Sequence, residues 1–352
     1  MTPRTEAVAV LGLGLCTPLG LTAHTTLVEM AAGTVRFFLT GVLDSTGEPV
    51  RASLLTLLEA RCSRTERVVA LAATALQECL DGVHLDGREA LPLFIALPTN
   101  GSGAEVEQAR VLDALAKVAS PYRIHLAEEG LCHEGRAGFF SALALAMEAL
   151  QAGRARQVLV GAADSLCDPV SLKQLLGMHR LRCSTVRDGI IPGEGAGFVL
   201  LTRASTARYR GLRPQGHILA ATVAKEPRPM TCGKPSLAEG LSTAFRHLRT
   251  HPTTEMKRVA QVLSCQTGET FWGHEFNRAY LRNAALMPEP LRVALLAETQ
   301  GDVGAGAGVV QLGLALQLLG EQASVPASEA RMLVYGCSDE GKVGACIIGR
   351  AP

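Results

Sequence analysis

Little in the sequence favours one sign of charge: 34 Lys and Arg face 33 Asp and Glu over 352 residues, a formal charge of +1. That balance excludes a global electrostatic pull toward nucleic acid or acidic membranes, so any partner must be recognised by shape and local chemistry. Paired cysteines are missing too. The ten cysteines (Cys16, Cys62, Cys79, Cys132, Cys167, Cys183, Cys232, Cys265, Cys337 and Cys346) are scattered without a Cys-x-x-Cys pair and mostly lie in apolar runs. This is the usage of small hydrophobes in a reduced, cytoplasmic protein. The nine histidines are equally dispersed, so no zinc spacing is present and neither a metal nor a cofactor is expected. No window of about 18 consecutive apolar residues occurs, which excludes a membrane-spanning helix. The opening MTPRTEAVAVLGLGLCTPLG sets a basic residue before an apolar stretch, as a signal peptide would, but Glu6 and three glycines interrupt it and it reads as a first strand.

Aromatic residues are also scarce, at 4%, whereas glycines number 36 and hydrophobic residues make up 47%. The combination predicts a large core with many tight turns and close backbone contacts. Short β-branched or Leu-rich runs alternate with amphipathic stretches of about 12 to 18 residues, the pattern of an α/β fold with buried, largely parallel strands. Strands are expected near 8–13, 93–97, 157–160 and 197–201, with helices near 65–80, 103–116 and 138–151. After the basic segment 208–214, strands follow near 217–222, 259–264, 293–296, 332–335 and 345–348, with helices near 236–249, 271–283 and 305–319. The two series run in nearly the same order, so the chain reads as two copies of one unit, 1–207 and 208–352, each near the usual domain size.

Glycines cluster in four segments where strands meet helices or turns: GLGLCTPLG (12–20), PGEGAG (192–197), GDVGAGAG (301–308) and GCSDEG (336–341). The first is a poor dinucleotide fingerprint, because Gly12-x-Gly14 lacks a third glycine at the required spacing and continues into Thr-Pro. The third has a plain structural reading, in which small residues let the following helix pack closely on a neighbour. Taken in order, however, the segments resemble those of the β-ketoacyl synthases of the thiolase superfamily, the elongating condensing enzymes of fatty-acid and polyketide synthesis. VAVLGLGLCTPLG is similar to that family's first strand and turn, and GFFSALALAMEALQAGRARQVLVGAADS to the helix behind its nucleophile and the next strand. RDGIIPGEGAGFVLLTRASTARYRG is similar to its Gly-Glu-Gly-Ala-Gly hairpin and basic helix, and ETQGDVGAGAGVVQLGLALQLL to the turn that carries a catalytic His. The resemblance implies a thiolase-like fold, with duplicated βαβαβαββ halves in five αβαβα layers, and an obligate dimer. It also implies a catalytic Cys at the N-terminus of a buried helix, where the dipole favours thiolate, and two His that assist decarboxylation and stabilise the developing oxyanion.

This sequence departs from the family at each of those positions. The nucleophile position falls on Arg136, or on Gly135 if a one-residue gap is allowed, and neither can be acylated. The first family His aligns with Gln266 and the second with Asp302. A Gln cannot relay a proton near neutral pH, and a carboxylate would repel an oxyanion. The family's Gly-Phe-Gly-Gly gating loop reads Ser338-Asp-Glu-Gly341, with Asp339 in place of the Phe. No condensing mechanism can be written for this set. Arg136 and Asp302 carry opposite charges at one former active site and are expected to form a buried salt bridge there, which needs good hydrogen bonding to offset desolvation. One rival nucleophile exists: Cys132-His133-Glu134 places thiol, imidazole and carboxylate in succession, although adjacent side chains rarely face one another and Gly130 and Gly135 suggest a turn. His274-Glu275, near the lone Trp272, reads as the polar face of an amphipathic helix.

The expected function is therefore that of a non-catalytic ketosynthase-like subunit, similar to the chain-length-factor partners of active ketosynthases. Such a subunit supplies half of a dimer interface and shapes an acyl tunnel in fatty-acid or polyketide-type synthesis, with an acyl carrier protein as a further partner. The alternatives are a homodimeric acyl-binding or scaffold protein, and a divergent acyltransferase using Cys132. In the family the strand before the nucleophile helix pairs with its dyad mate. The corresponding stretch here is 122–126, and Ile124, apolar among polar neighbours, is its candidate seam residue.

Overall fold

The computed structural model describes residues 6–350 except 82, 84, 86–89, 121, 323–325 and 327–328. β1 (Val8–Cys16) is followed by α1 (Ala23–Ala31), a hairpin of β2 (Phe38–Leu43) and β3 (Pro49–Ala52), then α2 (Arg64–Asp81), β4 (Ala90–Ala96), α3 (Gln108–Val118) and β5 (Arg123–Cys132). A 3-10 turn (Gly135–Ala137) leads into α4 (Gly138–Gln151), β6 (Gln157–Ser165), α5 (Pro169–Gly177), β7 (Glu194–Arg203) and α6 (Ala204–Tyr209). Then come β8 (Gly216–Lys225), α7 (Glu239–Thr250), β9 (Gln261–Ser264), α8 (Thr270–Arg282), β10 (Val293–Leu295) and α9 (Ala297–Gln300). A second 3-10 turn (Gly304–Gly306) opens α10 (Ala307–Glu321), and β11 (Arg331–Cys337) and β12 (Lys342–Gly349) end the fold. The expected helix at 103–116 begins only at Gln108, because the preceding segment is pinned elsewhere: the Ala104 amide donates to Ser171 Oγ and the Glu107 amide to Thr65 Oγ1.

Ten strands form one sheet in the order β10-β9-β11-β12-β8-β1-β7-β6-β4-β5. Counted from either end, the order runs third, second, fourth, fifth and first strand of a series of five, so the topology is duplicated. The pairing senses repeat as well. β4 is parallel to β5 and β6, and β9 is parallel to β10 and β11, while the fourth, fifth and first strands of each series are antiparallel. The two series meet at a short antiparallel join, Val8–Val10 against Gly216–Ile218. Four of the nine pairings are thus parallel rather than most of them. The apolar runs reported burial on both faces, which the covering helices impose whatever the strand direction.

That burial comes from α4 and α10, which are apolar on nearly every side. α4 packs on β4 and β6 and also on β8 and β12, while α10 packs on β11 and also on β7. The two helices lie between the strand series and share a core that includes Phe139, Phe140, Leu143, Val309 and Val310. α2 and α3 cover the outer face of one series, and α7 and α8 the outer face of the other, completing five layers. A Cβ on Gly308 would stand 2.8 Å from the Phe139 ring, so the glycine is what lets the central helices approach. Among the described residues no helix is long and apolar enough to cross a membrane.

β5 is an outer strand of the sheet and pairs only with β4. Its register jumps from Leu93–Leu126 to Ile95–Leu131, and the intervening residues bulge outward with Glu129 at φ 54°. Ile124 is half-buried and packs against the core under α2 and α3, whereas Leu126 is 38% exposed. Leu143→Ala should cost about 2–5 kcal/mol because it opens a cavity in the shared central core, whereas Leu57→Ala, at 73% exposure, should change stability by no more than about 0.5 kcal/mol. Urea unfolding of the two variants checks the contrast.

Candidate functional site

The chain leaves β5 through Gly135, whose φ of +50° turns it sharply into the 3-10 turn ahead of α4. Arg136 is thereby presented at the head of the central helix and is buried. A cation here opposes the helix dipole, so the guanidinium needs anionic partners. They come from the far end of the sequence. Arg136 Nη1 donates to Asp302 Oδ2 at 2.7 Å, Nη2 to Asp339 Oδ1 at 2.6 Å, and Nε to the Cys337 carbonyl at 3.1 Å. Its Cζ also lies 4.6 Å from the centre of the Trp272 ring, within cation–π range. The expected Arg136–Asp302 salt bridge is present, and Asp339 makes it a triad.

Each carboxylate is itself held. Asp302 follows Gly301, at φ +66°; its amide donates to the Ile191 carbonyl at 2.8 Å and its carbonyl accepts from Gly193 at 2.9 Å, while Oδ1 accepts from the Gly304 amide at 2.9 Å. Asp339 Oδ2 accepts from Arg180, and Arg180 clasps Glu269 with Nε and Nη2 at 2.8 and 2.9 Å. Glu269 Oε2 accepts from Trp272 Nε1 at 3.0 Å. Arg180 and Glu269 escaped the sequence reading because no motif or period marks them, and both lie in polar stretches, MHRLR and QTGET, where a charge is unremarkable.

Burial opposes the charge on Arg136, but Asp302, Asp339 and Glu269 together outweigh it and hold the guanidinium protonated above its ordinary range. Burial raises the Asp302 carboxyl, and the attraction of Arg136 offsets this only in part. Burial also works to raise Asp339, but the two flanking arginines prevail and lower it from 3.8 to about 2. Such a set can hold charge in place, but it contains neither a nucleophile nor a base free to activate one.

Gln266 is fixed beside this cluster, its Nε2 donating to Tyr335 Oη at 2.6 Å and its amide to Ser264 Oγ at 3.1 Å. Gln266 and Asp302 line a cavity of about 340 Å³ together with Phe37, Ile191 and Leu295. On its other side Asp302 joins Arg136, Arg180 and Asp339 around a pocket of only about 50 Å³. Cys132 is not brought into either cavity. It ends β5, and Gly130 lies within that strand, so only Gly135 makes the expected turn. Burial, aided by Glu134, pushes the Cys132 thiol up to about 12, the wrong direction for a nucleophile. His133 Nδ1 is within 3.0 Å of the Pro98 carbonyl, and Glu134 pairs with Lys342 at 3.5 Å. Glu275 is not on a polar face: it is buried and accepts from Ser236 Oγ at 2.7 Å. The core beneath α8 needs that hydrogen bond to accommodate a carboxyl. Among the described residues no cluster of potential metal ligands occurs.

The Beta-ketoacyl synthase, N-terminal domain family matches residues 137–207. A curated relative, a non-reducing polyketide synthase of Macrophomina phaseolina, is 27% identical over 188 residues, a stretch covering 51% of this chain and only 8% of that much longer protein. The ketosynthase from module 6 of the bacillaene synthase from Bacillus subtilis 168 superposes with a TM-score of 0.77 at 12% identity, covering 99% of this chain and 72% of the other. The ishigamide ketosynthase/chain length factor gives 0.72 at 15% identity, and a type II polyketide acyl-carrier protein in complex with its ketosynthase bound to the hexaketide gives 0.75 at 15%. Each of the last two covers 99% of this chain and 100% of the matched chain. The fold is the thiolase-like fold of the ketosynthases.

Arg136→Met should strand two carboxylates and cost about 3–5 kcal/mol, and adding Asp302→Asn and Asp339→Asn should recover part of that loss in urea unfolding. Acid should act through Asp339. Its folded value lies below its ordinary one, so its contribution is complete above about pH 3.8 and is lost as pH falls toward about 2. Asp302, raised by burial, works in the opposite sense. Asp339→Asn should therefore flatten the acid limb of a stability-against-pH curve.

Proposed function

We propose that this ketosynthase-like chain is a non-catalytic subunit of the chain-length-factor type, which pairs with an active ketosynthase in fatty-acid or polyketide-type synthesis. The observation that carries the reading is the state of Arg136. At the head of the central helix, where the resemblance calls for an acylatable cysteine, a buried guanidinium is tied to Asp302 and Asp339. Arg136, Gln266 and Asp302 are read as the replaced catalytic positions, and 1–207 and 208–352 as the two halves, the latter supported by the repeated strand order. An acyl carrier protein is proposed as a further partner, and the ten free thiols fit a reducing, cytoplasmic setting.

The outer position of β5 supports assembly, because an unpaired edge is a template for a second chain and an obligate interface buries upwards of about 2,000 Å². The proposed seam residue is Leu126 rather than Ile124, because Ile124 is half-buried against the core and Leu126 is exposed. The raised Cys132 thiol disfavours the acyltransferase alternative.

Purified alone, the protein should neither condense nor decarboxylate malonyl thioesters, and Cys132→Ala should leave its biological activity unchanged with no acyl adduct at that position by intact mass. Co-expressed with an intact Cys/His/His ketosynthase from the same pathway, it should co-purify as a heterodimer that Leu126→Lys dissociates. A well-behaved monomer at micromolar concentration that ignores such a partner would overturn the reading.

A further inference from the structure

Around Arg136 the contacts close into a ring. Arg136 bonds Asp339, Asp339 bonds Arg180, Arg180 clasps Glu269, Glu269 accepts from Trp272, and the Trp272 ring faces Arg136 again. Both arginines precede β7 and the other three members follow β8, so the ring fastens one strand series to the other. The ring and the Arg136–Asp302 pair differ in exposure. Arg136 and Asp302 are 6% and 3% exposed at the floor of the small pocket, while Arg180 and Asp339 are 23% and 24% exposed at its rim. Separating the floor pair would leave uncompensated charge in a dry interior, whereas the rim pair can rehydrate as it parts. Opening is therefore cheaper at the rim, between the turn 338–341 and the segment 178–190.

Apart from the ring, that turn is held by the Thr231 and Glu226 amides donating to the Asp339 and Gly341 carbonyls, by the Gly341 amide donating to the Ser338 carbonyl, and by the bonds of Ser338 to Lys342. We infer that Arg180, bridging Asp339 and Glu269, is an ionic latch that keeps the 338–341 turn closed over the pocket beside Arg136. Without Arg180, one cation is left among three carboxylates, the turn loses its tie to 178–190, and Glu269, the acceptor of the Trp272 indole, loses the two bonds that fix it.

Trp272 is the only tryptophan in the chain and is 3% exposed, so its fluorescence reports the latch. Cys265, buried in the central core next to Gln266, reports the interior beside the site; Cys79, on the buried face of α2, serves as a remote reference. Acrylamide should quench the full-length native protein weakly. In Arg180→Met the quenching constant should rise several-fold and iodoacetamide should label Cys265 several-fold faster, with Cys79 labelled at the original rate. Asp339→Asn, which keeps shape but removes charge, should give the same pattern and carries the test if Arg180→Met fails to fold. Unchanged quenching and labelling would overturn the latch, and so would a parallel rise at Cys79, which signals general loosening.

Discussion

A guanidinium buried at the head of a central helix has to be answered from every side, and much of the structure around Arg136 is arranged to do so. The dipole of α4 opposes a positive charge at that end, and removal from water adds several kcal/mol more. Two carboxylates, a carbonyl and an indole face together supply the compensation. None of these lies within 130 residues of Arg136 in the sequence, so the charge can be buried only when β11, α8 and the turn before α10 are all in place. The closeness of this fit also appears in Gly336, whose missing side chain leaves room for the Arg136 carbonyl.

The glycine-rich segments then have a shared purpose. PGEGAG and GDVGAGAG meet through a backbone bond between Gly193 and Asp302, joined by one from Asp302 to Ile191 just before PGEGAG, and so hold the carboxylate that Arg136 requires. Glu194 of the first segment is itself in a buried pair with Arg67 of α2, and Asp164 at the end of β6 pairs with Arg64 and accepts from Ala305 in the 3-10 turn before α10. These buried charges are each met by a partner brought from another element. Networks of this type raise the stakes of each member, since a half-satisfied network is worse than an apolar core.

The same arrangement bears on chemistry. Burial raises the thiols near the site, Cys132 and Cys265 among them, while the arginines stay charged and Asp339 stays ionised. The groups are thus held in the protonation states that favour cohesion. A larger, partly apolar cavity persists beyond Asp302, bordered by Gln266. The chain thus keeps an open cavity beside a closed ionic centre.

The sequence by itself determined the main strands and the longer helices, the near-repeat of their order, and the presence of opposite charges at 136 and 302, because hydrophobic period and motif order are local properties that survive without coordinates; the short elements α1, β2, β3, α5 and α6 carry too little period to be read that way. It misjudged strand direction, since an apolar run records burial and nothing about its neighbour's sense. It placed Ile124 at a seam and Glu275 on a polar face, since which side of an element meets the core depends on what packs there. Only the tertiary structure decided that Asp339 would join Arg136, across 203 residues, and that Arg180 would bridge Asp339 and Glu269, across 159 and 89. No local pattern connects residues that far apart; they become partners because folding the two strand series around α4 and α10 leaves each buried charge one place to go.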